Sequence, residues 1–172
     1  MKTSRTTPAP DVTVVPAAPE ARQILANMLE LYAHDFSEFV GLTLGPDGRF
    51  GYPHLGLYWE EPGRHPFIIT AGGHLAGFAF VRKGSEISGD AEVWDMAEFF
   101  VARGFRRLGV GKRAAHEVWS KFPGRWEVRV VDRNQKAREF WRRAIEEFLG
   151  RAVEPARFDE GGRDWHVFSF EA

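Results

Sequence analysis

From Asp11 the chain runs Val12-Thr13-Val14-Val15, a β-branched stretch that Pro16 stops, and this predicts a first strand. From Pro19 the apolar positions Ala21, Ile24, Leu25, Met28, Leu29 and Tyr32 recur at gaps of three and one, the stripe of an amphipathic helix ending near His34. Phe67-Ile68-Ile69-Thr70 and the run from Leu75 to Val81 flank Ala71-Gly72-Gly73-His74, whose Gly-Gly centre predicts a hairpin. A third run, Val93 to Val101, completes a meander. The period then lengthens: Val110, Ala114, Ala115, Val118, Trp119 and Phe122 make a helical stripe that Pro123-Gly124 stops. Trp126 to Val131 alternates as a strand. Ala137, Phe140, Trp141, Ala144, Ile145, Phe148 and Leu149 form the cleanest helical stripe, closed by Gly150. Two last strand candidates flank Gly161-Gly162. Strand, helix, three-stranded meander, helix, strand, helix and hairpin together predict one mixed α/β domain in which the meander feeds a β-α-β unit.

Residues 41–66 break both periods, with six glycines and four prolines punctuated by Phe50, Tyr52, Tyr58 and Trp59. A loop of this length in a compact domain is commonly disordered or functional, and the aromatics argue against disorder. It is a candidate substrate wall, in which Tyr52, Tyr58 and Trp59 would suit a cationic amine. An irregular flap pinned by ordinary packing is the other reading.

Composition narrows the choices. The 172 residues suit a single domain, 11–172, behind a flexible tail of residues 1–10 that has no apolar stretch to make it a secretory signal. No apolar run approaches the roughly 18 residues of a membrane span, so a soluble, cytoplasmic protein is expected. The absence of cysteine excludes disulfides, thiolate zinc sites and a cysteine nucleophile. The six histidines are scattered without ligand spacing, so no metal site is expected. A net charge of −1 provides no global field for nucleic acid or an anionic membrane. Oligomeric state stays open, a homodimer included.

Charge is nevertheless concentrated locally. Five cations crowd into Arg103-Gly104-Phe105-Arg106-Arg107-Leu108-Gly109-Val110-Gly111-Lys112-Arg113, between a strand and a helix. Cations at a helix N-terminus oppose its dipole, so an anion is expected to relieve them. Gly109 and Gly111 would let that anion approach the free backbone N–H groups, and a diphosphate suits the description. Gly109-x-Gly111-x-x-Ala114, followed by Asp132, also mimics a dinucleotide-binding fingerprint. That template turns directly off its strand, whereas seven residues separate Val101 from Gly109, and only 40 residues follow Asp132.

Arg106-x-x-Gly109-x-Gly111, soon after a strand and opening a helix, resembles the acyl-CoA pyrophosphate signature of the GNAT superfamily of N-acetyltransferases. Asn134-x-x-Ala137-x-x-Phe140-Trp141 is similar to that superfamily's second motif, and the order of elements extends the likeness over about residues 11–171. The resemblance implies a mixed α/β acyl-CoA N-acyltransferase fold: a central, mostly antiparallel sheet splayed between its fourth and fifth strands and flanked by helices. It implies acetyl-CoA as cosubstrate, held by backbone groups near Phe99 and Val101 and by the loop Arg106, Arg107, Leu108, Gly109, Val110, Gly111 and Lys112, with Asn134 and Trp141 beside the pantetheine. Asn134 could equally be a plain helix cap.

Acetyl transfer to an amine needs a neutral amine, a donor to the developing oxyanion and a proton for the thiolate. Asp95 and Glu98 are the candidate bases on the strand before the loop; either may instead be a satisfied structural carboxylate. Regular alternation puts them on opposite faces unless a bulge reverses the parity. Glu98 is preferred because it lies nearer the splay, inside an apolar run. Relatives commonly carry a tyrosine where this chain has Trp141, whose indole lacks useful acidity. A tyrosine of the long loop or water would then protonate the thiolate, or activity has been lost. The expected function is therefore N-acetylation of a small-molecule amine or a protein amino group, with a non-catalytic acyl-CoA binder or sensor as the alternative.

Overall fold

The computed structural model describes residues 9–172, so most of the expected N-terminal tail lies outside the described residues. Seven strands form one sheet: β1 (Val12–Pro16), β2 (Arg64–Ala71), β3 (His74–Lys83), β4 (Trp94–Val101), β5 (Arg125–Val131), β6 (Ala156–Glu160) and β7 (Arg163–Glu171). The helices are α1 (Arg22–Phe36), the short α2 (Leu57–Glu60), α3 (Val110–Lys121) and α4 (Gln135–Leu149). The spatial order is β1-β2-β3-β4-β5-β7-β6, antiparallel throughout except for the parallel pair β4 and β5. That pair joins only at Trp94–Trp126 and Asp95–Glu127 before the strands part. The splay is thus present, and the backbone of β4 beyond Asp95 has no strand partner on its β5 side.

The helical stripes bury themselves on opposite sheet faces. Val110, Ala114, Val118 and Trp119 of α3 pack with Trp141 and Ile145 of α4 over Val128 and Phe168. On the other face Leu25, Met28 and Leu29 of α1 cover Phe78, Phe80 and Phe100, joined by Leu55 and Tyr58. At a typical 25 cal/mol per Å² of buried apolar surface, side chains of this size each contribute about 1.5–3 kcal/mol, so packing rather than helix propensity holds these elements. Gly150 closes α4 in the left-handed conformation the sequence called for, at φ 69°. No helix among the described residues is long and apolar enough to cross a membrane.

Two local features depart from the sequence expectations. The second strand starts at Arg64, earlier than the apolar run, because Arg64, His65 and Pro66 pair with Arg82, Val81 and Phe80 of β3. In β4, Glu98 pairs with Phe80 but Met96 pairs with Val81, so Ala97 is an extra residue. This bulge overrides strict alternation. Met96 faces the α3 and α4 side, whereas Ala97 packs with the α1 cluster and Glu98 meets Tyr32 of α1. Asp95 and Glu98, expected on opposite faces, therefore share one.

The stretch 41–66 is a structured flap. The Glu30 carboxylate on α1 accepts the backbone N–H groups of Phe50 (2.8 Å) and Gly51 (3.1 Å), and Trp59 donates its indole N–H to the Ala17 carbonyl at 2.8 Å. Tyr58 is buried with its ring centroid 4.2 Å from that of Phe80. The aromatic cage imagined for a cationic amine is not formed, because Tyr58 and Trp59 turn into the core.

Candidate active site

After β4 the chain makes a 3-10 turn at Arg103–Phe105 and enters α3 through two left-handed residues, Arg107 (φ 63°) and Gly109 (φ 77°). Glycine adopts that conformation freely; for Arg107 it is strained. No side chain caps α3, and among the described residues the N–H groups of Arg107 through Lys112 donate to no protein acceptor. A Cβ at Gly111 would lie 3.2 Å from the Phe140 ring and 3.4 Å from a Val101 methyl, so glycine here lets α3 sit against α4 and the end of β4. Leu108 is half exposed at the loop's crest, and Val110 is buried as the first core residue of α3.

The cations are distributed differently from the sequence expectation. Asp35 of α1 accepts from Arg103 (2.6 Å) and Arg106 (2.5 Å), and Arg106 Nε also donates to the Val101 carbonyl at 2.7 Å. Burial pushes the Asp35 carboxyl up, but the two guanidinium groups outweigh it and hold the group below its usual range. Lys112 pairs with Glu147 of α4 at 2.5 Å, and Arg113 reaches the Leu108 carbonyl at 3.3 Å. Three of the five cations thus have carboxylate partners within the protein, and only Arg107 and Arg113 make no ion pair among the described residues. What the loop presents is chiefly a nest of free backbone donors at a helix N-terminus, which is the anion-binding part of the expectation.

Where β4 and β5 part lies a cleft of about 350 Å³. Tyr32 and Phe36 of α1 line it with Glu98 and Phe99 of β4, Arg129 of β5, Asn134 and Trp141 of the α4 region, and Arg163 and Trp165 of β7. Phe99 stacks on Phe140 at 6.1 Å and meets Trp141 edge-on at 5.0 Å. Trp141 is buried between these rings and Trp119. Asn134 Oδ1 accepts the Ala137 N–H at 3.0 Å, the N-cap role of the two considered, while the residue also lines the cleft.

The two candidate carboxylates sit in opposite environments. Asp95 is buried and receives Arg82 at 2.5 Å, with Arg129 at 3.8 Å; Glu86 in turn holds Arg82 at 2.5 Å and Arg129 at 2.9 Å. Burial pushes the Asp95 carboxyl up against the pull of Arg129 and Arg82, while the Arg82 hydrogen bond brings Glu86 down to about 2. Among the described residues no cation forms an ion pair with Glu98. It accepts hydroxyl groups from Tyr32 (2.5 Å) and Tyr52 (3.1 Å). Burial raises Glu98, against the lowering effect of the two hydroxyl donors, and burial followed by the Glu98 charge raises both phenols. A carboxylate lifted in this way and lining a cleft is a candidate proton acceptor. Tyr52 is the long-loop tyrosine the sequence offered. The sequence places Tyr32 on the α1 stripe and favours a long-loop tyrosine over it, and it does not single out Arg129, Arg163 or Trp165. The available signal is Arg129, a charge set between Val128 and Val130 in β5. His116 bonds the Ala144 carbonyl at 2.8 Å, away from the cleft.

Residues 25–145 match the family model of the acetyltransferase (GNAT) family. The chain belongs to that family. Its fold is shared with an acetyltransferase from Thermus thermophilus at 16% identity and TM-score 0.68, covering 96% of this chain and 100% of that one. Arabidopsis thaliana NAA60, solved with a bisubstrate analogue, aligns at 17% identity and TM-score 0.61 over 94% of this chain and 98% of its own. Spermidine N-acetyltransferase from Vibrio cholerae, solved with CoA and spermine, aligns at 12% identity and TM-score 0.61 over 93% and 95%. No curated protein sequence matches. The GNAT acetyltransferase family uses an acyl-CoA donor, and the free N–H groups of Arg107 to Lys112 fit its pyrophosphate.

Proposed function

We propose that this GNAT acetyltransferase transfers acetyl from acetyl-CoA to a primary amine, of a small molecule or a protein, by direct attack within a ternary complex. The observation that carries this reading is Glu98: a carboxylate with no cation partner among the described residues, lining the cleft opened by the splay and holding two tyrosine hydroxyls. The chain has no cysteine to carry an acetyl group. Phe99 and Trp141 bound the cleft and support a short acyl chain.

In this reading the loop N–H groups from Arg107 to Lys112, with Arg107, bind the diphosphate, while Arg106 fixes the loop to Asp35 and Val101. The β4 backbone beyond Asp95 offers N–H groups to the pantetheine and to the developing oxyanion. A free alkylammonium with a pKa near ~10.4 is not a nucleophile, so it gives one proton to solvent before attack, and Glu98 accepts the second proton, which the nitrogen loses as it bonds to the thioester carbon. Tyr32 takes the place of the hydroxyl missing at Trp141. Its raised phenol gives a proton to the thiolate as Glu98 returns the proton gained from the amine across their 2.5 Å hydrogen bond, which leaves both groups in their starting states. Asp95 is a structural carboxylate that fixes Arg82 and Arg129.

Calorimetric titration with acetyl-CoA, combined with thiol release across an amine panel, tests the proposal. Micromolar binding and amine-dependent thiol release are expected; no binding below about millimolar sinks it. Trp141 favours a second reading, an acyl-CoA binder without turnover, and amine-dependent thiol release eliminates it.

A further inference from the structure

Among the residues lining the cleft, Glu98 is the only acid, and it faces two cations, Arg129 and Arg163. Arg129 is neutralised by Glu86 and Asp95. Arg163 is exposed at the start of β7 and makes no ion pair among the described residues. The register sets Trp165 opposite Val131 and Val167 opposite Arg129, so Arg129, Val131, Trp165 and Arg163 share one sheet face, the one on which Asp95 and Glu98 also lie. Both guanidinium groups lie 5.8 Å from the centre of the Trp165 ring. Among the described residues, the cleft therefore presents one carboxylate without an ion pair, Glu98, and one guanidinium without an ion pair, Arg163, on an aromatic shelf.

A polyamine would bring a second ammonium toward Arg163 and Arg129, a like-charge contact. An amine that also carries an anion matches both ends. We propose that the acceptor is a small zwitterionic amine, its nitrogen directed at Glu98 and its anionic group held by Arg163 beside Trp165. This rests on the cleft being the acetyl-transfer site. A planar guanidinium suits a carboxylate or a phosphate-type group equally, so the shared feature is the anion.

The test measures thiol release from acetyl-CoA with glycine, β-alanine and 4-aminobutyrate, their amides, aminoalkylphosphonates of matching length, and diamines. The wild type should favour an anionic arm over the amides by about tenfold or more in kcat/KM, and the preferred arm identifies the anion. Arg163→Gln should lower kcat/KM for anionic amines by about 10- to 100-fold while leaving the amides unchanged, and Arg163→Glu should move preference to the diamines. Amides or diamines turned over as well as anionic amines, or an equal loss on every amine in Arg163→Gln, overturn the inference and leave the transferase reading standing. Acetyl-CoA binding with thiol released by none of these amines overturns both.

Discussion

Replacing Glu98 by Gln removes the carboxylate and keeps its size. The Gln carbonyl still accepts one tyrosine hydroxyl, and the other phenol can rotate to accept from the new NH2 group, so the cluster with Tyr32 and Tyr52 has a route to remain paired. What disappears is a group able to take the amine proton. A positioned general base contributes on the order of 10²- to 10⁴-fold, or roughly 3–5 kcal/mol of barrier at about 1.4 kcal/mol per decade. The variant should thus lose about that factor in kcat while its affinity for acetyl-CoA, set at the loop, is unchanged. The pH profile gives a sharper test. Because burial lifts Glu98 above its reference 4.5, wild-type kcat/KM should rise with pH through that raised value, and Glu98→Gln should lack this limb. Stability carries the opposite sign. A carboxyl raised in the folded state stabilises while protonated, and wild-type stability falls as pH rises from its unfolded value through the folded one. Melting temperatures across pH should therefore shift in favour of Glu98→Gln as the pH increases over that window. Thiol-release rates within threefold of wild type, with an unchanged acid limb, would refute the reasoning.

Glu30→Gln leaves one acceptor for the two N–H groups of Phe50 and Gly51; with Tyr52 next in the chain, kcat should fall about tenfold at unchanged acetyl-CoA affinity in calorimetry. Asp95→Asn leaves Arg82 and Arg129 with Glu86 alone and should destabilise by about 3 kcal/mol in urea unfolding, as broken buried pairs do. Gly109→Ala places a side chain at φ 77° and should cost about 1–2 kcal/mol, with weaker acetyl-CoA binding as the loop shifts. Asn134→Ala removes the α4 cap, at about 1 kcal/mol in thermal melts, and a parallel loss of acetyl-CoA affinity identifies a second role in the cleft.

Periodicity revealed the element order because each stripe answers to a local repeat: the α3 and α4 stripes and the Gly72-Gly73 turn stand where they were expected. The glycines of the anion loop were legible for the same reason, since Gly109 is required by a local backbone angle. The chemistry around Glu98 was only half legible. Tyr32 lies on an apolar stripe and its hydroxyl meets a carboxylate 66 residues away, a contact no local pattern encodes. The Arg82–Asp95 pair across two strands and the capture of Arg103 and Arg106 by Asp35 are likewise tertiary events. Counting the cations suggested a strong field for a ligand; the fold partly neutralises it with its own acids.

The extra residue at Ala97 makes the active face a matter of counting as well as of composition. Between Asp95 and Glu98 the strand contains two residues where an unbulged strand would need an odd number to return to the same side. Ala97 itself should accept small substitutions with little effect. A single-residue deletion there is another matter: with Asp95 held in its ion pairs, the carboxylate now at Glu98 would either swing to the face covered by α3 and α4 or drag the following loop out of phase with it. Sequence drift in this strand is thereby free to change letters but not length, and the rest of the domain inherits that restriction through the helix that begins at Val110.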